Sequence, residues 1–329
     1  MQQNFSGLEY VKIDIANHFG LDKLTFKQRI AWVDKNKKDL RSIAPEAKNM
    51  PRYIAGVIAL EDALVDKPSG HLVGLDAASS CCQIMAVLIG CETTARNTGL
   101  IGNKRNDLYT KTTEKMSELL GKKVEITREL VKSAQVPCFY GSKRKPRLVF
   151  GKNTPEYYAF YEAQEIVAPG AVEIMKLIQK CWQPYADTHE WVMPDGFHVI
   201  VPVVESFVGK VEVDEADHLT FQYQTDAICG AEQGISLLAN VIQSCDGYVA
   251  REMVRRCPFD MISVHDEFMA HPNNMNYVRT VYMDIMAEIA ESDLLKSMLS
   301  QITKNDNLII KKHSNKLGNM IREGNYAIS

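Results

Sequence analysis

Two aspartates each follow a short apolar run. Asp76 ends the segment LVGLD at 72–76, and Asp266 comes two residues after the segment FDMISV at 259–264. An aspartate at a strand end presents its carboxylate while the strand holds the backbone. Two such carboxylates brought together would repel each other unless divalent cations lay between them, and two magnesium ions ~3.5–4 Å apart are the usual device for in-line phosphoryl transfer. Taken singly, each aspartate is more simply interpreted as a polar residue that ends a strand.

A second group of polar residues lies in the segment RELVKSAQVPCFYGS at 128–142. A helical spacing of four puts Arg128 and Lys132 on one face, and Tyr140 follows eight residues later. Lysine is a compact partner for a phosphate, and arginine offers a fork for two oxygens. The set suits a triphosphate with its sugar near the tyrosine. An exposed basic helix face with an aromatic residue packed on the core explains the spacing equally well, and spacing alone favours that alternative.

The elements that must position these residues follow from the hydrophobic pattern. The chain is predicted to be one mixed α/β body of the α+β type. A capping box of Thr25 and Gln28 begins the first predicted helix. Helices are predicted over 25–43, 52–65, 79–90, 106–120, 125–139, 156–182, 232–256 and 274–299. Strands are predicted over 72–76, 197–203, 207–213, 219–224 and 259–264, and the Asp-Gly pair at 195–196 indicates a hairpin turn.

Composition excludes several classes of protein. The chain is 46% hydrophobic and 24% charged, which is typical of a globular protein and not of a disordered one. It has no apolar run near the ~18 residues of a membrane span and no recognisable secretory signal. Eight cysteines without CxxC spacing indicate reduced thiols, and we expect a cytoplasmic location. The net charge of −3 argues against a surface that is basic throughout.

Three segments together resemble motifs A, B and C of the single-subunit DNA-dependent RNA polymerases of the bacteriophage and mitochondrial type. The segment DAASSCCQ at 76–83 resembles motif A and ends at Gln83. Motif B has the spacing Arg-x3-Lys-x7-Tyr-Gly, which is met by Arg128, Lys132, Tyr140 and Gly141. The segment HDEF at 265–268 resembles motif C.

The resemblance extends along the chain. Residues 7–23 resemble the segment that precedes motif A, with Lys12 at the position of a phosphate-contacting lysine. The segment WVMPDGF at 191–197 resembles a hairpin of the family. Residues 240–247 resemble the helix before motif C, where Gln243 replaces a histidine near the incoming ribose. Residues 318–329 resemble the terminal foot, which ends close to the active site.

The resemblance implies the palm and fingers of a right-hand polymerase, with an antiparallel palm sheet. Residues 1–104 and 191–329 would form the palm, the latter with the hairpin insertion and the foot, and residues 105–190 the fingers. Asp76 and Asp266 would hold two Mg²⁺ ions. Lys132, Tyr140 and His265 would complete the catalytic set, with His265 supporting the motif C turn. The implied substrate-binding residues are Lys12, Arg128, Gly141, Gln83 and Gln243.

Four departures qualify the resemblance. Pro137 lies inside motif B, and Glu267 replaces a serine of motif C. The segment after the 195–196 turn is shorter and less basic than the promoter-reading loop of the phage enzymes. The family's promoter-binding domain, thumb and Asp-x-x-Gly-Arg motif have no counterpart before Gly7. We therefore expect the catalytic subunit of a split, heterodimeric enzyme like the RNA polymerase of N-four-like podoviruses, in the cytoplasm of a bacterial host. Its partners would be a second polymerase subunit, a single-stranded or melted DNA template, nascent RNA and nucleoside triphosphates.

Two other functions remain open at this stage. A fragment of a repair-type DNA polymerase would also carry His-Asp-Glu, but such enzymes usually place a glutamate five residues after the motif A aspartate. Cys81 stands at that position here. A non-catalytic template-binding homologue would have no need to retain both aspartates, the lysine and the tyrosine.

Overall fold

The protein has the predicted mixed α+β architecture. The structure is a computed structural model that describes residues 2–121, 125–203, 205–227 and 235–329. Helices dominate these ranges. In chain order they are α1 (Gly7–Ala16), α2 (Phe26–Lys35), α3 (Met50–Leu64), α4 (Ser80–Ile89), α5 (Glu92–Asn97), α6 (Leu108–Leu120), α7 (Arg128–Phe139), α8 (Arg144–Phe150), α9 (Pro155–Val167), α10 (Pro169–Lys180), α11 (Ile235–Arg256), α12 (Met275–Glu291), α13 (Leu294–Thr303) and α14 (Leu317–Arg322).

The strands form three small antiparallel groups. They are β1 (Val73–Asp76), β2 (Thr188–Val192), β3 (His198–Pro202), β4 (Glu205–Val213), β5 (Leu219–Ala227), β6 (Met261–Val264) and β7 (Glu267–Ala270). The first group is a three-stranded sheet in the order β1-β7-β6, and the others are the hairpins β2-β3 and β4-β5. In the sheet, β7 is the central strand, with Asp76 of β1 opposite Glu267.

The main core lies around α4. Every residue from Cys81 to Ile89 is buried, because the segment SCCQIMAVLI is apolar on nearly all sides. Helices α10, α11 and α12 pack on it. A second apolar cluster joins α1, α2 and α3, and a third joins α6, α7 and α9. The catalytic candidates thus stand on elements that are anchored in packed cores.

A capped helix and an irregular turn form the start of the fold. Ser6 and Glu9 make a capping box at α1, which satisfies amide groups that the first helical turn leaves without partners. A π-helical turn over Asn17–Leu21 follows, and Gly20 has a φ of 111°, a backbone conformation that glycine adopts without strain. This turn aims Asn17 and His18 at the cavity described below.

Several element predictions were wrong in detail. The segment 156–182 is two helices, because Pro169 cannot continue α9 and instead starts α10. The segment 274–299 is also two helices, separated at extended Ser292. The first predicted helix ends at Lys35 rather than near 43, and β7 was not predicted. The start of the 232–256 prediction lies outside the described residues.

The hairpin prediction is confirmed. Strands β2 and β3 pair over the full length of each, and the 195–196 pair lies in the turn between them with a φ of 84° at Gly196. None of the helices within the described ranges is long and apolar enough to cross a bilayer.

Candidate active site

A cavity of about 860 Å³ opens at one end of the three-stranded sheet. Its walls come from the ends of β1 and β7, the first turn of α4, one face of α7, the middle of α11 and the turn after α1. These elements are far apart in the sequence. The fold therefore gathers most of the predicted site residues into a single space.

The two strand-end aspartates are neighbours. The backbone N–H of Ala77 donates to the carbonyl oxygen of Asp266 at 3.2 Å, just past the pair of Asp76 with Glu267 that ends the β1-β7 ladder. Both aspartates line the cavity. The sheet thus joins two carboxylates that are far apart in the sequence, as the resemblance to the polymerase motifs implied.

A third carboxylate, Asp246 of α11, faces the same cavity and was not predicted. Burial, with the nearby Asp266, raises the pKa of Asp246 to about 7. Burial raises the pKa of Asp76 also to about 7, with contributions from Asp266 and Glu267 that Lys132 and Lys23 partly offset. The one sequence signal for Asp246 was its position three residues after Gln243, on the same helix face.

The carboxylates of Asp76, Asp246 and Asp266 are donors of the kind that a hard divalent cation takes, although their oxygens do not all lie within 4.8 Å of one another. Carboxylate oxygens are the ligands that magnesium prefers. The raised pKa values arise from desolvation and from repulsion between carboxylates, and a cation among them would relieve that repulsion.

Glu267 forms an ion pair with an arginine side chain. Arg52 of α3 donates to its carboxylate at 2.9 Å. The carboxylate also lies over Gly74, where an added Cβ would stand 2.4 Å from Oε1. The glycine in β1 is therefore required for the glutamate to lie there, and the Arg52 guanidinium partly neutralises the charge that distinguishes this motif C.

The cationic face of α7 borders the cavity opposite the aspartates. Arg128 and Lys132 both lie over the ring of Tyr109, at 5.4 and 5.6 Å from its centroid. Asp107 accepts a hydrogen bond from Nε of Arg128 at 2.6 Å and also caps α6. The predicted common face of Arg128 and Lys132 is confirmed, and Tyr109 and Asp107, which sequence reasoning missed, hold it in position.

Pro137 does not break α7. The helix continues to Phe139, and Tyr140 is its C-terminal cap, with its side chain lining the cavity. The hydroxyl of Tyr140 lies near the thiol of Cys81, which lines the same cavity. Burial, together with that thiol, raises the pKa of Tyr140. The tyrosine is therefore a neutral hydrogen-bonding group under ordinary conditions.

Further cations line the cavity on the side of the turn after α1. Lys23 pairs with Asp22 at 2.7 Å, and Arg105 lies close enough to Asp22 to interact electrostatically. Burial lowers the pKa of Lys23, and burial likewise lowers the pKa of Arg105. With Arg128 and Lys132, these groups surround the carboxylates with positive charge.

The remaining predicted residues divide into two groups. Gln243 and His265 line the cavity, and His265 occupies the tight turn between β6 and β7 with a φ of 54°. Lys12, Gln83 and Gly141 are outside the cavity lining. Lys12 pairs with Asp34 at 2.6 Å, whereas Gly141 follows Tyr140 with a φ of 96°.

Gln83 has a different environment from the cavity residues. Its buried amide donates to the carbonyl oxygens of Thr98 and Ala327, at 3.1 and 2.9 Å. Its carbonyl oxygen accepts from the Tyr282 hydroxyl at 2.7 Å. The side chain thus ties α4 to α12 and to the final residues.

The final residues also reach the site. Ile328 forms a β-bridge with Ala77, and Ser329 lines the cavity. The seven cysteines that the structure describes are free and buried, which agrees with the expectation of reduced thiols.

Residues 2–144 match the family model of the DNA-dependent RNA polymerases. The matched segment contains Asp76, Arg128, Lys132 and Tyr140. The DNA-directed RNA polymerase of Pseudomonas phage phiKMV is 23% identical to this chain over 300 residues. That alignment covers 73% of this chain and 37% of the relative, so the chain spans little more than a third of the relative's length. The similarity to phage-type RNA polymerases inferred from the motifs is thereby confirmed.

Proposed function

We propose that this chain carries out DNA-templated RNA synthesis, by transfer of a nucleotidyl group from a nucleoside triphosphate to the 3′ end of RNA. One observation carries the proposal. Two strand-end carboxylates and a cationic helix face meet across one cavity, and the family match includes the first aspartate and the whole cationic set. DNA template, nucleoside triphosphates and RNA are the partners that this activity requires.

Asp76 and Asp266 are the proposed ligands of two Mg²⁺ ions. Bound there, the ions would lower the pKa of the attacking hydroxyl and stabilise charge on the leaving pyrophosphate. The two carboxylates supply the charge, and the β1-β7 ladder keeps their spacing fixed. Asp246 adds negative potential from the facing helix, while Arg52 partly neutralises Glu267.

Arg128 and Lys132 are the proposed triphosphate ligands. Arginine offers two parallel donors to phosphate oxygens and lysine a compact charge. The ring of Tyr109 and the carboxylate of Asp107 restrict the rotamers of these long side chains. Because the side chains are ordered before substrate arrives, less conformational entropy is lost on binding.

Tyr140 and Gln243 are proposed to lie near the ribose, and His265 to hold the motif C turn. A hydroxyl and an amide can both hydrogen-bond a 2′-hydroxyl. Cys81, which lines the same cavity, presents no carboxylate that would repel that group. This supports RNA over DNA as the product. In the proposed division, residues 1–104 and 191–329 form the palm and residues 105–190 the fingers.

We further propose that activity requires a second polymerase subunit that supplies the thumb and the walls of a template channel. The support is the net charge of −3, since affinity for a nucleic-acid backbone grows with the number of phosphates neutralised. A single-stranded or melted template fits this requirement best.

The test is primer extension by the native complex on an RNA primer annealed to single-stranded DNA, with ribonucleotides and deoxyribonucleotides in parallel. We expect ribonucleotide addition that is lost in a complex carrying Asp266→Asn. Preferential addition of deoxyribonucleotides would favour a DNA polymerase. Template binding without any nucleotide addition would favour a non-catalytic homologue. Robust promoter-dependent synthesis on duplex DNA by the purified chain alone would refute the requirement for a second subunit.

A further inference from the structure

Strands β4 and β5 form a two-stranded antiparallel ribbon. The register runs from the pair of Glu205 with Ala227 to the pair of Val213 with Leu219. Within the part of the chain that the structure describes, no third strand joins it. Each strand therefore has an outer edge with backbone N–H and C=O groups that are not used in a ladder.

The two faces of this ribbon differ in chemistry. Residues that pair across an antiparallel ladder share a face, so the register assigns every side chain to one side. We call one side the apolar face; it carries Phe207, Val211, Val213, Leu219, Phe221 and Tyr223, together with Gly209 and Thr225. The opposite side carries mostly polar residues, namely Val208, Lys210, Glu212, Thr220, Gln222 and Gln224.

The apolar face is uncovered. Phe207, Phe221 and Tyr223 are 45%, 53% and 51% exposed. The ring of Tyr223 lies across Gly209, where an added Cβ would meet it at 2.3 Å, so an aromatic ring fills the gap that the glycine leaves. A two-stranded ribbon alone is marginally stable in water, and a contiguous exposed apolar patch marks an interaction site.

The charge of the ribbon decides the class of partner. Between positions 205 and 227 the sequence has one lysine and six carboxylates. At the tip, His218 pairs with Glu212 at 2.9 Å and with Asp214 at 3.3 Å. Nucleic acid would be repelled, because its binding depends on lysine and arginine contacts to phosphates. The complementary surface is a polypeptide with apolar and basic side chains.

We propose that β5 accepts a third strand from a partner protein, an extended segment in which apolar and basic residues alternate. Strand addition takes its affinity from main-chain hydrogen bonds and its specificity from alternate side chains. The apolar side chains of the added strand would extend the apolar face. Its basic side chains would lie beside Gln222 and Gln224 of β5, one strand further from Lys210, which pairs with Gln222 on β4.

This surface is distinct from the cavity but is connected to it along the chain. The ribbon ends at Ala227, and α11, which begins at Ile235, provides Asp246 to the cavity. The assignment of the ribbon does not depend on the proposed polymerase activity, and its test measures binding alone.

The experiment uses the full chain and a synthetic peptide that alternates valine and lysine, with a peptide of valine and glutamate as the control. Binding is followed by fluorescence anisotropy, and amide hydrogen exchange is measured over residues 219–227. We expect saturable binding of the valine–lysine peptide only, with slower exchange in β5. Phe221→Ser should weaken binding by about tenfold or more, since it removes an aromatic contact, whereas Val208→Ser, on the opposite face, should not.

A second variant separates loss of binding from loss of the ribbon. Gln224→Lys keeps the apolar face but places a cation beside the incoming lysines, and should also weaken binding. Failure of the valine–lysine peptide to bind, or equal binding of the valine–glutamate peptide, would overturn the proposal. The proposal would also be overturned if the wild-type chain bound a DNA oligonucleotide, or a second copy of itself in sedimentation, and if Phe221→Ser abolished that binding.

Discussion

Ser329 donates its backbone N–H to the carbonyl oxygen of Asp76 at 2.9 Å. The last residues thus continue the sheet beyond β1, with Ile328 bridged to Ala77. Tyr326 stacks on Phe26 of α2 at 5.0 Å between ring centroids, which fixes the approach of this segment. The backbone of Asp76 is therefore held by β7 on one side and by residues 328–329 on the other.

Replacement of Ser329 by proline tests this link. Ser329→Pro removes the N–H donor, which should cost about 0.5–1.5 kcal/mol of unfolding free energy. It should also lower nucleotide addition by about tenfold to a hundredfold, because a small displacement of a catalytic group is expensive. Thermal unfolding and single-nucleotide addition are the measurements.

Ser329→Ala is the matched control: it keeps the N–H and removes a buried hydroxyl without a partner, so wild-type behaviour is expected. Equal activity of the two variants would contradict the role of the bond.

Asp76→Asn and Asp266→Asn should each reduce nucleotide addition by at least about a hundredfold, since each removes charge where transition-state charge must be neutralised. The fold should be retained, because both side chains face the cavity rather than a core. Addition rates and circular dichroism provide the measurement. Asp217→Asn at the exposed ribbon tip serves as the control. A rate within a few-fold of wild type in either catalytic variant would exclude the metal assignment.

Asp246 predicts a pH dependence of stability. Its pKa in the folded protein is about 7 against an ordinary value of 3.8, so between these pH values the folded state holds a proton that the unfolded chain has released. Stability from this group therefore falls as pH rises from about 4 to about 7. Asp246→Asn should leave the melting temperature nearly unchanged at pH 4 and raise it relative to wild type at pH 8, in the absence of divalent ions. If the difference in melting temperature between Asp246→Asn and wild type instead shrank towards pH 8, the predicted sign of the pH dependence would be wrong.

Tyr140→Phe should weaken the preference for ribonucleotides. The hydroxyl is a polar group at the cavity, and a lost hydrogen bond costs about 0.5–1.5 kcal/mol, or roughly a two- to tenfold change in selectivity. The ratio of kcat/KM for ribo- and deoxyribonucleotides is the measurement. Tyr185→Phe, at a position 89% exposed, is the control. Unchanged selectivity in Tyr140→Phe would assign the discrimination to Gln243 or to another group.

Local sequence patterns predicted part of this site. Apolar runs placed Asp76 and Asp266 at strand ends, and a spacing of four placed Arg128 and Lys132 on one helical face. Their assignment to one site came from the resemblance to the polymerase motifs and not from these patterns alone. Asp246 was missed because a single aspartate on an amphipathic helix has the same pattern as a solvent-facing one. Tyr109 and Asp107 act through contacts across the fold, which spacing does not encode.

The fold was predictable to a similar extent. The strands before both aspartates were found from apolar runs, but β7 was not, since the segment EFMA starts with a glutamate directly after a two-residue turn. Pro169 was overlooked because the hydrophobic period continues across it, although the backbone cannot. Long-range pairing, such as that of β1 with β7, depends on packing of the whole chain.

Cys81 has a consequence for chemical reactivity. Its neighbour Cys82, together with burial, raises the pKa of the Cys81 thiol well above the ordinary value. The thiolate is the form that attacks electrophiles. Although this residue borders the cavity, it should therefore react slowly with alkylating agents and oxidants. We therefore expect slow oxidation at this residue, and a covalent inhibitor directed at Cys81, the only cysteine among the described lining residues, would be a poor choice.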